Sequence, residues 1–261
     1  MAKHVYYSLT EDNPFLPKSY IAQLKRDLDP KLARRMLYGE WIEITQEVVY
    51  HAYNKDKQLK NRSFEVQTKH PIYISWDFNI GEGKPLSVVL FQYINEHMHI
   101  FNEVVVHGMR TEDSCEELAS RDLLEYNAKY ILTGDATAKH KDTRSKKSDY
   151  ELIERFFANY RTKDARPLNF ELRVPLSNPP VRTRHNMVNA YCLNESGNIR
   201  LWIYRDAPTA DKGLRLTQLK KGGNYIEDDS KEYQHISTAI GYGLAVAHRE
   251  QTRAPQQTVR M

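Results

Sequence analysis

Two aspartates stand where a charge is costly. Tyr73–Asn79 (Tyr-Ile-Ser-Trp-Asp-Phe-Asn) is apolar and aromatic up to Asp77, and Gly81, Gly83 and Pro85 then break the strand that this pattern predicts. Lys129–Asp135 (Lys-Tyr-Ile-Leu-Thr-Gly-Asp) repeats the design and ends in Asp135. A carboxylate at the end of a buried strand needs a partner: a lysine or arginine, a set of backbone donors, or a metal ion. Taken alone, Asp77 reads equally as a salt-bridged strand end, and Gly-Asp after a strand as a turn. Two such carboxylates together are the start of a metal site, and magnesium or manganese prefers oxygen ligands.

Basic residues gather nearby. Lys139–Lys147 holds Lys139, Lys141, Arg144, Lys146 and Lys147 just after Asp135. Arg182 with Arg184 is a second cluster, and Lys220-Lys221 before Gly222-Gly223 a third. Such runs are either solvated loops or phosphate contacts. The formal charge of +4 is only a mild bias towards polyanions. No apolar run approaches the ~20 residues of a membrane span, and no charged-then-apolar leader opens the chain. Cys115 and Cys192 give neither a disulfide framework nor a zinc spacing, which fits a cytoplasmic compartment.

The elements that must position these residues follow from periodicity. Asn13–Pro17 is proline-fixed and extended, and Ser19 is placed to cap a helix over Tyr20–Leu28. Asp29-Pro30 opens a second helix, Lys31–Tyr38, and Glu40-Trp41-Ile42 leaves it extended. Val48–Arg62 reads as a polar connector lying on a domain surface. Strands are expected at Pro71–Asn79, Ser87–Ile94 and His97–His107, the last two joined by a tight turn at Asn95-Glu96. A helix over Thr111–Asn127 leads to a fourth strand, Lys129–Gly134, whose entry from a helix implies a parallel crossover onto the sheet. Tyr150–Tyr160, Pro180–Leu193, Ala210–Lys220 and Glu232–Arg249 read as further helices, Phe170–Val174 and Ile199–Tyr204 as strands. This divides the chain into an N-terminal connector (1–65), an α/β domain (66–250) and a disordered tail (251–261). Three antiparallel strands, then helix, strand, helix and strand, is the order of the α/β ribonuclease-H-like (RuvC/integrase-like) fold, a mixed central sheet flanked by helices. In that fold the ends of the first and fourth strands are neighbours.

The residues themselves resemble the nuclease half of the large terminase subunit of tailed bacteriophages. The resemblance runs in order through Asn13–Tyr20, Leu37–Trp41, Trp76-Asp77-Phe78-Asn79, Gly134-Asp135-Ala136, Ser148-Asp149-Tyr150, Arg184–Asn194 and His235–Tyr242, and covers most of residues 8–247. It implies a metal-dependent endonuclease that cuts concatemeric double-stranded viral DNA with little sequence preference, in the cytoplasm of a bacterial host. Hydrolysis would use two Mg2+ or Mn2+ ions, which together activate water and neutralise the developing charge. Asp77 would bridge them and Asp135 would bind one. The closing helix of that family carries an aspartate where this chain has Thr238, a poor ligand for a hard cation. His235, Asp229 or Asp228 would then complete the second site, although Asp228 and Asp229 read equally as helix caps and His235 as an ordinary helix-face residue. Lys139, Lys141, Arg144, Lys146, Lys147, Arg182 and Arg184 would meet the DNA backbone. Implied partners are an ATPase motor domain, a terminase small subunit and a portal protein. Gly81–Lys84 is no phosphate loop: Phe78 stands where its first glycine belongs and Pro85 replaces Ser/Thr, so the ATPase would lie outside this sequence, an excised piece or a split gene to which Met1-Ala2 fits as an added start. A degenerate module that binds DNA or a packaging partner without cutting, and a resolvase-like nuclease of the same fold, are the alternatives.

Overall fold

The computed structural model describes residues 9–40, 48–79, 84–108, 110–139, 147–220 and 225–253, with side chains to residue 250. The expectations for Trp41-Ile42, Gly81 and Gly83, Lys141, Arg144, Lys146, Lys221 to Gly223 and residues 254–261 lie outside this set. In chain order the elements are α1 (Lys18–Asp27), α2 (Pro30–Met36), α3 (Lys55–Gln58), β1 (Leu59–Lys60), β2 (Ile72–Asp77), β3 (Leu86–Ile94), β4 (His97–Val106), α4 (Thr111–Ser120), β5 (Lys129–Gly134), α5 (Asp149–Asn159), β6 (Asn169–Leu172), α6 (Val181–Cys192), β7 (Leu201–Tyr204), α7 (Pro208–Leu216) and α8 (Glu232–Arg253).

The strands form one sheet in the order β1-β7-β4-β3-β2-β5-β6. β2, β3 and β4 are antiparallel neighbours, and Asn95 and Glu96 turn the hairpin with φ of 50° and 64°. Positive φ at both turn residues suits the right-handed twist of the strands. β5 lies parallel to β2, and β6 parallel to β5. β7 extends the sheet beyond β4, and the two residues of β1 pair with β7.

Strand parity sorts the core. Ile72, Ile74 and Trp76 pack with Cys115 and Leu118 of α4 and Ile153 and Phe157 of α5. On the opposite face Tyr73, Val89 and Phe91 pack with residues of α6, α7 and α8, among them Tyr191, Leu214, Ile236 and Ala239. Every residue of β2 is buried, because helices cover both faces. Asp77 continues the Tyr73–Ser75 parity and therefore faces α8. Ser75 Oγ donates to the Ala239 carbonyl of that helix at 2.8 Å. Gly243 lets the helix come this close, since a Cβ there would stand 2.6 Å from the Phe91 ring and 2.9 Å from Ser75 Cβ.

Several local expectations change. α1 begins after Pro17 with Ser19 inside its first turn, so Ser19 caps nothing. Asp29 does cap α2, accepting from the Lys31 and Leu32 amides at 3.0 and 3.1 Å. α4 stops at Ser120 because Asp122 takes a left-handed φ of 58°, yet Leu123 and Leu124 still reach the core. The Val48–Arg62 stretch is more than a surface connector. Val49, Tyr50 and Gln58 are buried, and the Asn189 side chain holds both the Val49 carbonyl and the Ala52 amide. α8 continues to Arg253, past the start of the expected tail. Among the described residues no helix is long and apolar enough to cross a membrane.

Candidate active site

Asp77 and Asp135 are neighbours because their strands are. Trp76 pairs with Gly134 in the parallel β2–β5 ladder, and the Asp135 amide donates to the Trp76 carbonyl at 3.0 Å. Gly134 holds φ of 143°, and a Cβ on it would stand 2.2 Å from the Trp76 carbonyl oxygen. The Trp76 backbone atoms of the neighbouring strand cannot yield. Gly134→Ala is expected to destabilise the fold by roughly 2–3 kcal/mol through overpacking and a disfavoured φ. Urea unfolding checks it, and an unchanged midpoint would show that the two strands can part without cost.

The two carboxylates sit in different surroundings. Asp77 is only 6% exposed. Its Oδ2 accepts from Asn79 Nδ2 at 2.9 Å and lies 3.0 Å from His235 Nδ1 on α8. Burial pushes the Asp77 carboxyl above its ordinary range and the Asp135 charge adds to this, while hydrogen bonds from His235 and Asn79 pull the other way. Asp135 is half-buried and held by one oxygen: Oδ1 accepts from the Thr137 amide and hydroxyl and from Asn178 Nδ2, each at 2.7 Å. Tyr150 donates to the Asp135 backbone carbonyl at 3.0 Å.

His235 supplies the chemical interest. Its Nδ1 lies 3.0 Å from Asp77 Oδ2 and 2.8 Å from Asn79 Nδ2; when Nδ1 carries the proton and donates to Asp77, Nε2 is a lone-pair acceptor, and Nε2 is buried with no hydrogen-bond partner. An unpartnered buried nitrogen costs about 1–3 kcal/mol. A cation between Asp77 and Asp135 would relieve the raised Asp77 carboxyl, so the two carboxylates fit a divalent ion; His235, expected as a ligand, turns Nδ1 to Asp77, which leaves Nε2 on the edge of the ring facing away from that carboxylate. Yet among the described residues no three of His, Cys, Asp or Glu converge as a metal-binding group. The protein ligands number fewer than a closed site requires.

The other expected ligands are engaged elsewhere. Asp228 Oδ1 accepts from the Ser230 amide and hydroxyl, an ordinary turn. Asp229 bridges Lys84 and Lys220, each at 2.6 Å, and these lysines draw its carboxyl well below the usual range. Thr238 is buried and accepts from Gln234 Nε2 at 2.8 Å.

The basic residues divide in the same way. Lys139 donates to the Val174 and Pro175 carbonyls at 2.8 and 3.2 Å. Lys147 is exposed, and exposed Arg182 lies over the Tyr225 ring. Arg184 cannot reach DNA: its side chain is 3% exposed and its Nη2 pairs with Glu227 at 2.8 Å. A guanidinium is tolerated in the interior when a carboxylate neutralises it, and here that need decides its place. Glu227 also accepts from His185 Nε2 at 2.6 Å and Gln234 Nε2 at 3.0 Å. Nothing in Glu227-Asp228-Asp229-Ser230 distinguishes the buried acid from its exposed neighbours. Asn178 was missed too, being forty-three residues from the Asp135 it orients.

No protein-family model and no curated protein sequence matches the chain. Among solved structures it is similar to the large terminase of a thermophilic bacteriophage, with a TM-score of 0.65 at 14% identity over 91% of this chain and 54% of that one. The same large terminase in complex with ATP-gamma-S gives 0.64 at 13% identity, over 91% and 54%. The chain thus spans about half the length of that protein. The P22 large terminase nuclease domain gives 0.53 at 11% identity, over 79% of this chain and 97% of that domain. The fold is ribonuclease-H-like, a mixed sheet between helices, as the strand order implies.

Proposed function

We propose that this chain is the nuclease portion of a phage DNA-packaging terminase, a metal-dependent endonuclease acting on double-stranded DNA. One observation carries the reading: Asp77 and Asp135 end adjacent parallel strands beneath α8, with His235 of that helix held against Asp77. The likeness to the P22 nuclease domain over nearly its whole length supports it. Asp77 and Asp135 would hold Mg2+ or Mn2+, with His235 bonded to Asp77 through Nδ1. Magnesium commonly binds through one or two carboxylates plus water and phosphate, so a sparse ligand set is compatible with a second ion that becomes firmly held only once DNA arrives. Such ions, when bound, activate water and stabilise charge on the scissile phosphate. The chain's own residues fix the geometry. Asn79 and His235 orient Asp77, while Thr137 and Asn178 orient Asp135. Lys147 and Arg182 would steer the DNA backbone, together with Lys141, Arg144 and Lys146 of the basic run that ends at Lys147.

The division into a connector, a nuclease domain and a tail belongs to this proposal, as do the ATPase motor, small subunit and portal as partners and the host cytoplasm as location. The test is cleavage of supercoiled plasmid with manganese, magnesium or chelator. Nicking and linearisation with metal, and none with chelator, is the expected result. The sparse ligand set and Thr238 favour one rival, a DNA-binding module without catalysis. That rival is the outcome if no metal supports cutting while DNA is still bound in a salt-dependent way.

A further inference from the structure

Asp229 and its two lysines lie outside the carboxylate pair but close to it. Lys84 immediately precedes Pro85, whose carbonyl accepts from Asn79 Nδ2 at 3.3 Å, and the same amide nitrogen holds Asp77. Lys220 and Asp229 come from a short ribbon in which Leu219 bridges Glu227, the Lys220 amide donates to the Ile226 carbonyl at 2.8 Å, and the Asp228 amide donates to the Gln218 carbonyl at 2.8 Å. Two chain segments therefore present one ammonium each, and one carboxylate oxygen meets each ammonium: Oδ2 with Lys84 and Oδ1 with Lys220. All three side chains are open to solvent, with 38% of Lys84, 49% of Lys220 and 41% of Asp229 exposed.

We infer that Lys84 and Lys220 form a binding site for a DNA backbone phosphate, and that Asp229 occupies it in the free protein as an internal substitute for the phosphate. The inference rests on the proposed action on DNA. A phosphodiester offers two anionic oxygens, as the carboxylate does, and two ammonium groups held together by one carboxylate leave a net positive charge. Exposed ion pairs are weak, so a polyanion displaces this one readily. Lys139 is tied to backbone carbonyls, and Arg184 is buried with Glu227, so these lysines present cations at the site where two of the expected ones do not. Asp229 thus acts as a competitor of DNA.

The test is fluorescence anisotropy of a short blunt-ended duplex, titrated with the full chain in chelator over a series of salt concentrations. Asp229→Asn is expected to tighten binding roughly fivefold at low salt. It should also steepen the dependence of log K on log salt by about 0.9 for each phosphate newly contacted. Lys84→Gln with Lys220→Gln is expected to weaken binding, flatten the slope and erase the gain when combined with Asp229→Asn. Circular dichroism melts confirm that these surface variants are folded. The inference is overturned if Asp229→Asn leaves affinity unchanged, or if its gain persists without the two lysines, which would mark a general charge effect. Unchanged DNA affinity with weakened manganese binding in Asp229→Asn would overturn it in favour of a metal ligand. Failure of the unmodified chain to bind DNA at any salt overturns the underlying reading instead.

Discussion

Asp77→Asn is expected to abolish plasmid cleavage while leaving the fold as stable as before or more so. Loss of groups that merely orient a metal's ligands costs about 10–100-fold, so loss of the ligand itself should cost at least on the order of a hundredfold. Stability moves the other way for an electrostatic reason. Burial and the Asp135 charge raise the Asp77 carboxyl in the folded chain, so the fold prefers its protonated form. The unfolded chain ionises it at the ordinary value near ~3.9. The contribution to stability is therefore present below that value and is lost as pH rises through the elevated folded one, leaving a net cost at neutral pH. Asparagine removes the charge and keeps an oxygen that can accept from the His235 Nδ1–H. Parallel measurements of cleavage in manganese and of the thermal midpoint check both halves. Retained cutting, or a fold that collapses, would make Asp77 a structural residue and sink the metal-site reading.

Glu227→Ala is expected to produce the opposite pattern, a large loss of stability. It strands the Arg184 guanidinium, 3% exposed, and removes the acceptor of His185 and Gln234. Removing one partner of a buried pair costs about 3–5 kcal/mol. In a chain of this size that is roughly 10 °C in Tm. Arg184→Met in the same background should recover part of the loss by removing the unpaired charge. The sign with pH is fixed as well. Burial alone would raise Glu227, but the His185 hydrogen bond and the Arg184 charge bring it below the ordinary glutamate value. Its stabilisation is thus full above the ordinary value near ~4.3 and is lost as pH falls through the depressed folded one. Thermal melts across that range check it. If Arg184 met DNA instead, Glu227→Ala would tighten DNA binding with little effect on Tm, and that outcome would falsify the buried-pair account.

The contrast shows what the sequence carries. Alternation and turn residues specify strands locally, so the Asn95-Glu96 hairpin and the parallel entry of β5 were legible, while the adjacency of Asp77 and Asp135 came from the fold that the order of elements matched. Whether a charged side chain points inward depends on partners far along the chain. Arg184 reads as one of a surface pair with Arg182 until Glu227, forty-three residues away, is seen to neutralise it. The same blindness covers Asp229, which differs from Glu227 in its neighbours and not in its local context, and Asn178, which reaches Asp135 across a proline-bounded loop. β1 is two residues long and pairs with β7 across more than one hundred and forty positions, too little periodicity to announce a strand.

The tight seat of α8 on the sheet makes that helix a strut. Its early turns carry His235 beside Asp77, and its late turns carry Glu250, which accepts from the Tyr73 hydroxyl at 2.7 Å and pairs with Arg173 at 2.6 Å. Those ends lie about 22 Å apart at the rise of an α-helix. With Gly243 pressed against Phe91 and Ser75, the helix cannot roll without lifting an aromatic ring from the core. β2 is anchored to the strut at both ends, by Tyr73 and by Asp77. A load applied beyond Glu250 is therefore borne as shear along β2, and the place where it is felt is the imidazole contact to Asp77.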